Sequence, residues 1–216
     1  MNAELKKATD EKLRRYHEKN LTARKGEILF TGSSLMEMFP IEKFMEERGN
    51  PYIIYNRGVG GYKTEDLMEA LEICVFELEP SRIFINIGTN DLSDVSIPIS
   101  QMIENYHRIL LRIKERLPGA ELYLMAYYPV NYDAAAEEMK PCLRVRNNEK
   151  IDAANREVQK LAERIQGRYI DVNRRLKDEN GSLKSEYTIE GMHIKEAGYR
   201  AILDDLMEYV GEPAWN

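Results

Sequence analysis

Five short apolar runs rich in β-branched or aromatic residues, at 27–31, 52–55, 82–87, 121–126 and 168–172, are separated by stretches with helical periodicity. Runs of this length, bounded by turn residues, read as strands buried on both faces. Parallel strands need crossover connections of helix length, and those crossovers are right-handed. The alternation therefore predicts an α/β fold: a three-layer α/β/α sandwich around a five-stranded, mostly parallel sheet.

In residues 64–78, Leu67, Ala70, Leu71, Cys74, Val75 and Leu78 recur at intervals of three and four, and Glu65 and Asp66 occupy the first turn, where negative charge is favoured. Ile103, Tyr106, Leu110, Ile113 and Leu117 predict a second helix closed by Pro118-Gly119. Ile151, Ala154, Val158, Leu161, Ala162 and Ile165 predict a third, closed by Gly167. A last helix, opening near Lys195, carries Ile202, Leu203, Leu206, Met207 and Val210. Residues 2–20 are helical by propensity, with a thin apolar stripe through Leu5, Leu13 and Tyr16; this N-terminal extension is expected to pack loosely or to serve a partner. No repeat or linker interrupts residues 1–216, which read as one domain. The longest irregular stretch is 127–147, and long loops in compact domains are often functional.

A formal net charge of -6 and a sequence pI near 5.3 argue against nucleic acid as the main partner. The first 20 residues are dominated by Lys, Glu, Arg and Asp, and no apolar run approaches the roughly 20 residues needed to span a bilayer. No membrane association and a cytoplasmic location are the expectations; a homo-oligomer is compatible with the sequence. Cys74 and Cys142 lack metal-type spacing, and Cys74 falls on an apolar stripe, so packed thiols are expected rather than a metal or redox centre.

In parallel α/β sheets ligands bind outside the carboxyl ends of the strands, and four segments stand at such places. Gly32-Ser33-Ser34 follows the first run and turns into a short helical stretch, 35–39. A serine there is either a simple N-cap or a nucleophile whose own amide can donate to an oxyanion. Asn56-Arg57-Gly58-Val59-Gly60-Gly61 follows the second run; its glycines leave amides uncovered but miss the dinucleotide spacing, and a tight turn alone would also explain them. Gly88-Thr89-Asn90-Asp91 follows the third, offering either an Asx turn or an Asn side chain that donates to a developing alkoxide. Glu190-Gly191-Met192-His193 precedes the last helix. His17 and His107 lie in helical, charge-rich surroundings that suggest surface roles, whereas His193 sits in an irregular segment with a carboxylate three positions earlier. A metal site built on Glu190 and His193 would want further ligands that the sequence does not supply.

Together and in this order, the four segments resemble the SGNH, or GDSL-type, esterase and acylhydrolase family, over nearly the whole chain from about Glu27 to Val210. The resemblance implies a flavodoxin-like fold and a serine hydrolase without metal or organic cofactor. It places the nucleophile at Ser34, with Ser33 replacing the usual aspartate of Gly-Asp-Ser. It places the oxyanion donors at the amide of Ser34, the amide of Gly61, with Gly60 as the one-residue alternative, and the side chain of Asn90. The base falls on His193, and Glu190 stands where the family has Asp-x-x-His. That glutamate departs by one methylene, about one carbon–carbon bond in reach. Either it orients His193 from a shifted backbone, or a backbone carbonyl does so and Glu190 is incidental.

The partner expected is a small-molecule ester. Tyr127-Tyr128-Pro129-Val130-Asn131-Tyr132 suits hydroxylated ligands, or else only packs its loop. Ser33, Tyr128 and Asn131 are the candidate substrate contacts, and Arg57, Arg144 and Arg146 are candidate holders of an anionic leaving group. A short acyl group such as acetyl, carried on a carbohydrate or similar polar compound, is the leading expectation. A lysophospholipase or thioesterase remains open, as does a non-catalytic flavodoxin-like binding module.

Overall fold

The computed structural model describes residues 3–49 and 51–212. Helix α1 (Ala3–Asn20) leads into β1 (Ile28–Gly32), followed by the short helices α2 (Ser34–Glu37) and α3 (Ile41–Glu47) and by β2 (Ile54–Gly58). Then come α4 (Thr64–Cys74), β3 (Arg82–Asn86), α5 (Thr89–Leu92), α6 (Ile99–Arg116), β4 (Glu121–Met125), α7 (Lys140–Val145), α8 (Asn148–Arg164), β5 (Arg168–Ile170) and α9 (Glu196–Val210).

All five strands pair in parallel, in the order β2-β1-β3-β4-β5. This is the flavodoxin-like order, whose direction of winding reverses between β1 and β3. Side chains alternate across the sheet as the pleat requires. Leu29, Ile83, Ile85, Leu122 and Leu124 face one apolar layer with α4, α6 and α8. Ile28, Phe30, Phe84, Tyr123, Met125 and Ile170 face another with α2, α3 and α9. Phe84 stacks on Tyr123 at 4.4 Å between centroids, and Phe39 on Tyr199 at 4.6 Å, so rings fill the second layer.

The second strand begins later than the apolar run suggests. Ile54 to Gly58 pair in register with Ile28 to Gly32, so Asn56 and Arg57 belong to the strand and not to a loop after it. Asn56 Nδ2 donates to the carbonyls of Met36 and Phe39, at 2.6 and 3.0 Å, tying β2 to the α2–α3 corner. A strand end held by polar ties to residues distant in sequence does not show in a hydropathy pattern. Helix α4 ends at Cys74, and residues up to Leu78 continue as a 3-10 turn that Glu79 closes in the left-handed region, φ 46°. Cys74 is fully buried, and burial pushes its thiol up to about 12, as a packed side chain. His107 corrects the expectation of a surface role, because it lies on the buried side of α6. His17 does sit at the surface, beside Glu77.

Helix α1 packs on α4, and its register matters for the loops above. Tyr16 donates to the carbonyl of Gly58 at 2.7 Å, and Asn20, fully buried, donates to the carbonyl of Ile73 at 2.8 Å. It is docked rather than loose. No helix among the described residues is long and apolar enough to cross a membrane.

Candidate active site

The switch point between β1 and β3 brings three of the four sequence segments to one edge of the sheet. Gly32 ends β1 at φ +146°, and a Cβ there would stand 2.0 Å from the carbonyl oxygen of Asn86 on β3. Only glycine lets β1 press so close to β3 before the chain turns. Ser33 then donates its amide to Asn86 O at 3.2 Å, and Ser34 opens α2.

Ser34 Oγ stands 3.1 Å from His193 Nε2. The other ring nitrogen, Nδ1, is in close hydrogen-bond contact with Glu190 Oε1, and the His193 amide also lies against the Glu190 carboxylate, at 3.3 Å from Oε2. The longer glutamate therefore reaches the imidazole. It does so because residues 188–194 form a narrow turn closed by a Thr188–Ile194 bridge. Thr188 Oγ1 accepts the Gly191 amide at 2.8 Å and donates to the carbonyl of His193 at 3.2 Å. Gly191 itself has φ +100°, and a Cβ there would meet Asn131 O at 2.7 Å and Ala135 Cβ at 2.6 Å. Asn131 and Ala136 donate their amides to the carbonyls of Gly191 and Glu190, so the 131–136 loop holds the turn from outside.

Around Ser34, the Gly60 amide donates to Glu37 Oε2 at 2.5 Å. The Gly61 amide donates to nothing among the described residues, and the space beside its Cα is open. Asn90, on α5, donates through Nδ2 to the carbonyl of Tyr62 at 3.0 Å; its amide carries a second N–H. The turn below is fixed by Asp91, the last residue of the segment read as an Asx turn or an oxyanion donor. Buried at 1% exposure, it accepts the Thr64 amide at 3.0 Å and the Thr64 hydroxyl at 2.6 Å, joining α5 to the start of α4. Burial raises the Asp91 carboxyl above its usual range, against the lowering effect of the Thr64 hydrogen bonds.

The expected substrate contacts resolve differently. Ser33 is completely buried, with its hydroxyl 3.4 Å from that of Thr89, so it supports the turn instead of facing a ligand. Tyr128 is buried against Tyr199 in an edge-to-face contact. Asn131 is buried too, donating to Leu183 O at 2.7 Å and accepting the Ala134 amide at 2.8 Å. Tyr127 hydrogen-bonds the Ile87 carbonyl at 2.7 Å under the Asn90 turn. The aromatic loop thus packs the site from behind, and only Tyr132 reaches the surface. Of the three arginines, Arg57 is enclosed by Asn20, Tyr16 and Tyr55. Arg146 is buried with its guanidinium donating to Thr89 O at 2.9 Å, and burial lowers it to about 10. Arg144 alone is peripheral, donating to the Tyr132 hydroxyl at 3.1 Å. Among the described residues no three His, Cys, Asp or Glu side chains are grouped to hold a metal ion.

The fold and this edge define a class: α/β/α sandwiches that carry a Ser–His–carboxylate arrangement at the carboxyl ends of their strands. Within it, residues 41–201 match the model of the GDSL-like lipase/acylhydrolase family, and the chain belongs to that family. The matched span starts after Ser34, so the serine rests on the geometry just described. A structure from Streptococcus pneumoniae, described as a platelet activating factor candidate, is 33% identical, covering 95% of this chain and 94% of that one at a TM-score of 0.84. A GDSL-like lipase from Bacteroides thetaiotaomicron superposes at a TM-score of 0.73, with 19% identity over 92% of this chain and 96% of that one. An acetylxylan esterase from Geobacillus stearothermophilus superposes at 0.64, with 17% identity over 90% and 98%. An N-acylneuraminate cytidylyltransferase of Escherichia coli is 23% identical over 85% of this chain, which spans only 40% of that protein's length. That family is one of lipases and acylhydrolases, enzymes that hydrolyse esters.

Proposed function

We propose that the protein removes short acyl groups, acetyl foremost, from small polar esters such as acetylated carbohydrates, through Ser34. The observation that carries the mechanism is Ser34 Oγ at 3.1 Å from His193 Nε2, with Glu190 on the opposite ring nitrogen. Glu190 accepts from Nδ1–H and so leaves Nε2 unprotonated to accept the Ser34 proton as Oγ attacks the ester carbonyl. The imidazolium then gives that proton to the leaving alcohol. Water, activated by the same His193, hydrolyses the acyl-serine. Negative charge on the carbonyl oxygen is met by the amides of Ser34 and Gly61 and by the free N–H of Asn90, preorganised donors of the kind that most lowers such barriers. Gly61 is preferred to Gly60 because the Gly60 amide is already engaged by Glu37.

The preference for a short acyl group is supported by the loop behind these residues, where Tyr127 and Tyr128 are packed inside and only Tyr132 reaches the surface. The acetylxylan esterase among the structural neighbours is in keeping with a polar acetyl ester. Aryl acetate, butyrate and octanoate, acetylated xylose and lysophosphatidylcholine should be compared as substrates. The expected order is acetate first, with kcat/KM lower by roughly tenfold or more for octanoate. Preferential hydrolysis of octanoate or of the lysophospholipid would overturn the short-acyl reading.

A further inference from the structure

The N-terminal helix meets the site through one face. Lys12, Tyr16 and Asn20 are four residues apart and so lie in a single row along α1. Tyr16 and Asn20 reach the end of β2, and Lys12 reaches Glu37 on α2, which in turn holds the loop after β2. Lys12 Nζ pairs with Glu37 Oε1, and the other oxygen of that carboxylate accepts the Gly60 amide. Tyr16 donates to the Gly58 carbonyl at 2.7 Å, and Asn20 accepts from Arg57 Nε at 2.8 Å. Glu37 is the last residue of α2, the helix that Ser34 opens, and a Cβ at Gly60 would stand 3.8 Å from Ser34 Cβ. One carboxylate therefore connects α1, the nucleophile helix and the glycine loop.

We propose that Glu37 and Lys12 are positioning residues that set the oxyanion loop, so that α1 acts as a strap on the reaction. By holding the Gly60 N–H away from the reacting carbonyl, Glu37 fixes the peptide plane that follows, and with it the direction of the Gly61 N–H. Lys12 holds the carboxylate in place and offsets its charge, which would otherwise oppose an oxyanion forming nearby. Tyr16 and the Asn20–Arg57 pair fix the strand end from which the loop departs. This inference rests on the serine mechanism proposed above. It adds that turnover depends on residues on a helix that contributes nothing to the triad.

The test uses the full chain, with kcat and KM for p-nitrophenyl acetate, the rate of fluorophosphonate labelling, and the thermal midpoint measured together. Glu37→Ala should lower kcat by roughly 10- to 100-fold, as a misdirected oxyanion donor does, with KM nearly unchanged and labelling slowed in parallel. Glu37→Gln keeps an oxygen to accept the Gly60 N–H and should retain most activity. Lys12→Met should fall between the two, and Lys12→Arg should recover. Wild-type kcat in Glu37→Ala, or in Lys12→Met, which leaves Glu37 and α2 intact, would overturn the strap. So would equal losses in Glu37→Gln and Glu37→Ala. A wild-type protein that hydrolyses nothing and takes no label would instead overturn the serine reading beneath it.

Discussion

Ser34→Ala is expected to lose at least about 10³-fold in turnover of an aryl acetate while folding as the wild type does. The loss follows from chemistry, since alanine offers no oxygen to attack the carbonyl and His193 has nothing to deprotonate. The fold should survive because, among the described residues, the Ser34 hydroxyl hydrogen-bonds the His193 ring alone, and the residue before α2, Ser33, makes no side-chain cap bond. Unfolding by heat or denaturant should shift by no more than about 1 kcal/mol, as for surface-accessible substitutions that create no cavity. A variant that keeps wild-type turnover would remove Ser34 from the mechanism. One that loses both activity and fold would speak only for a structural role.

Glu190→Gln should cost on the order of 10³–10⁴ in kcat. The amide is the same size, yet it is neutral and can donate as well as accept, so it neither selects the Nδ1–H tautomer nor stabilises the imidazolium. KM should change little, because Glu190 touches His193 and not the ester. Glu190→Asp separates charge from reach: it keeps the carboxylate but withdraws it by about one carbon–carbon bond from a turn shaped for glutamate. An intermediate loss in Glu190→Asp would show that the turn fixes the length required. A Glu190→Gln variant within tenfold of wild type would leave the ring to be oriented by the backbone alone.

The five strands are legible in the sequence because strands covered on both faces must be continuously apolar, and runs such as Ile83-Phe84-Ile85 have no other reading between helix-length spacers. Helix α6 and helix α8 are legible from their stripes. Of the short helices, α2 is anticipated by the stretch 35–39, whereas α3 buries Ile41, Phe44 and Met45 within seven residues, too few for a period to emerge, and α7 is hidden inside the stretch read as irregular. The end of β2 is missed because Asn56 and Arg57 are polar, and their partners, Met36, Phe39 and Asn20, are distant in sequence. The site segments are legible because each follows a strand. What those segments do not disclose is burial. Ser33 and Asn131 have the chemistry of ligand contacts and spend it on the Thr89 hydroxyl, the Leu183 carbonyl and the Ala134 amide, while Tyr128 packs its ring against Tyr199. The carboxylates of Asp91 and Glu37 tie loops together through partners distant in sequence. The glutamate at 190 is the clearest case: its extra length is interpretable only once Thr188 and Gly191 show where the turn places it.

Peptide mapping after reaction with a fluorophosphonate probe tests Ser34 as the nucleophile, because the probe captures a serine activated for acyl transfer. One adduct is expected, on Ser34, absent in Ser34→Ala and strongly slowed in His193→Ala. An active wild-type protein that carries no adduct, or carries it on another residue, would contradict it.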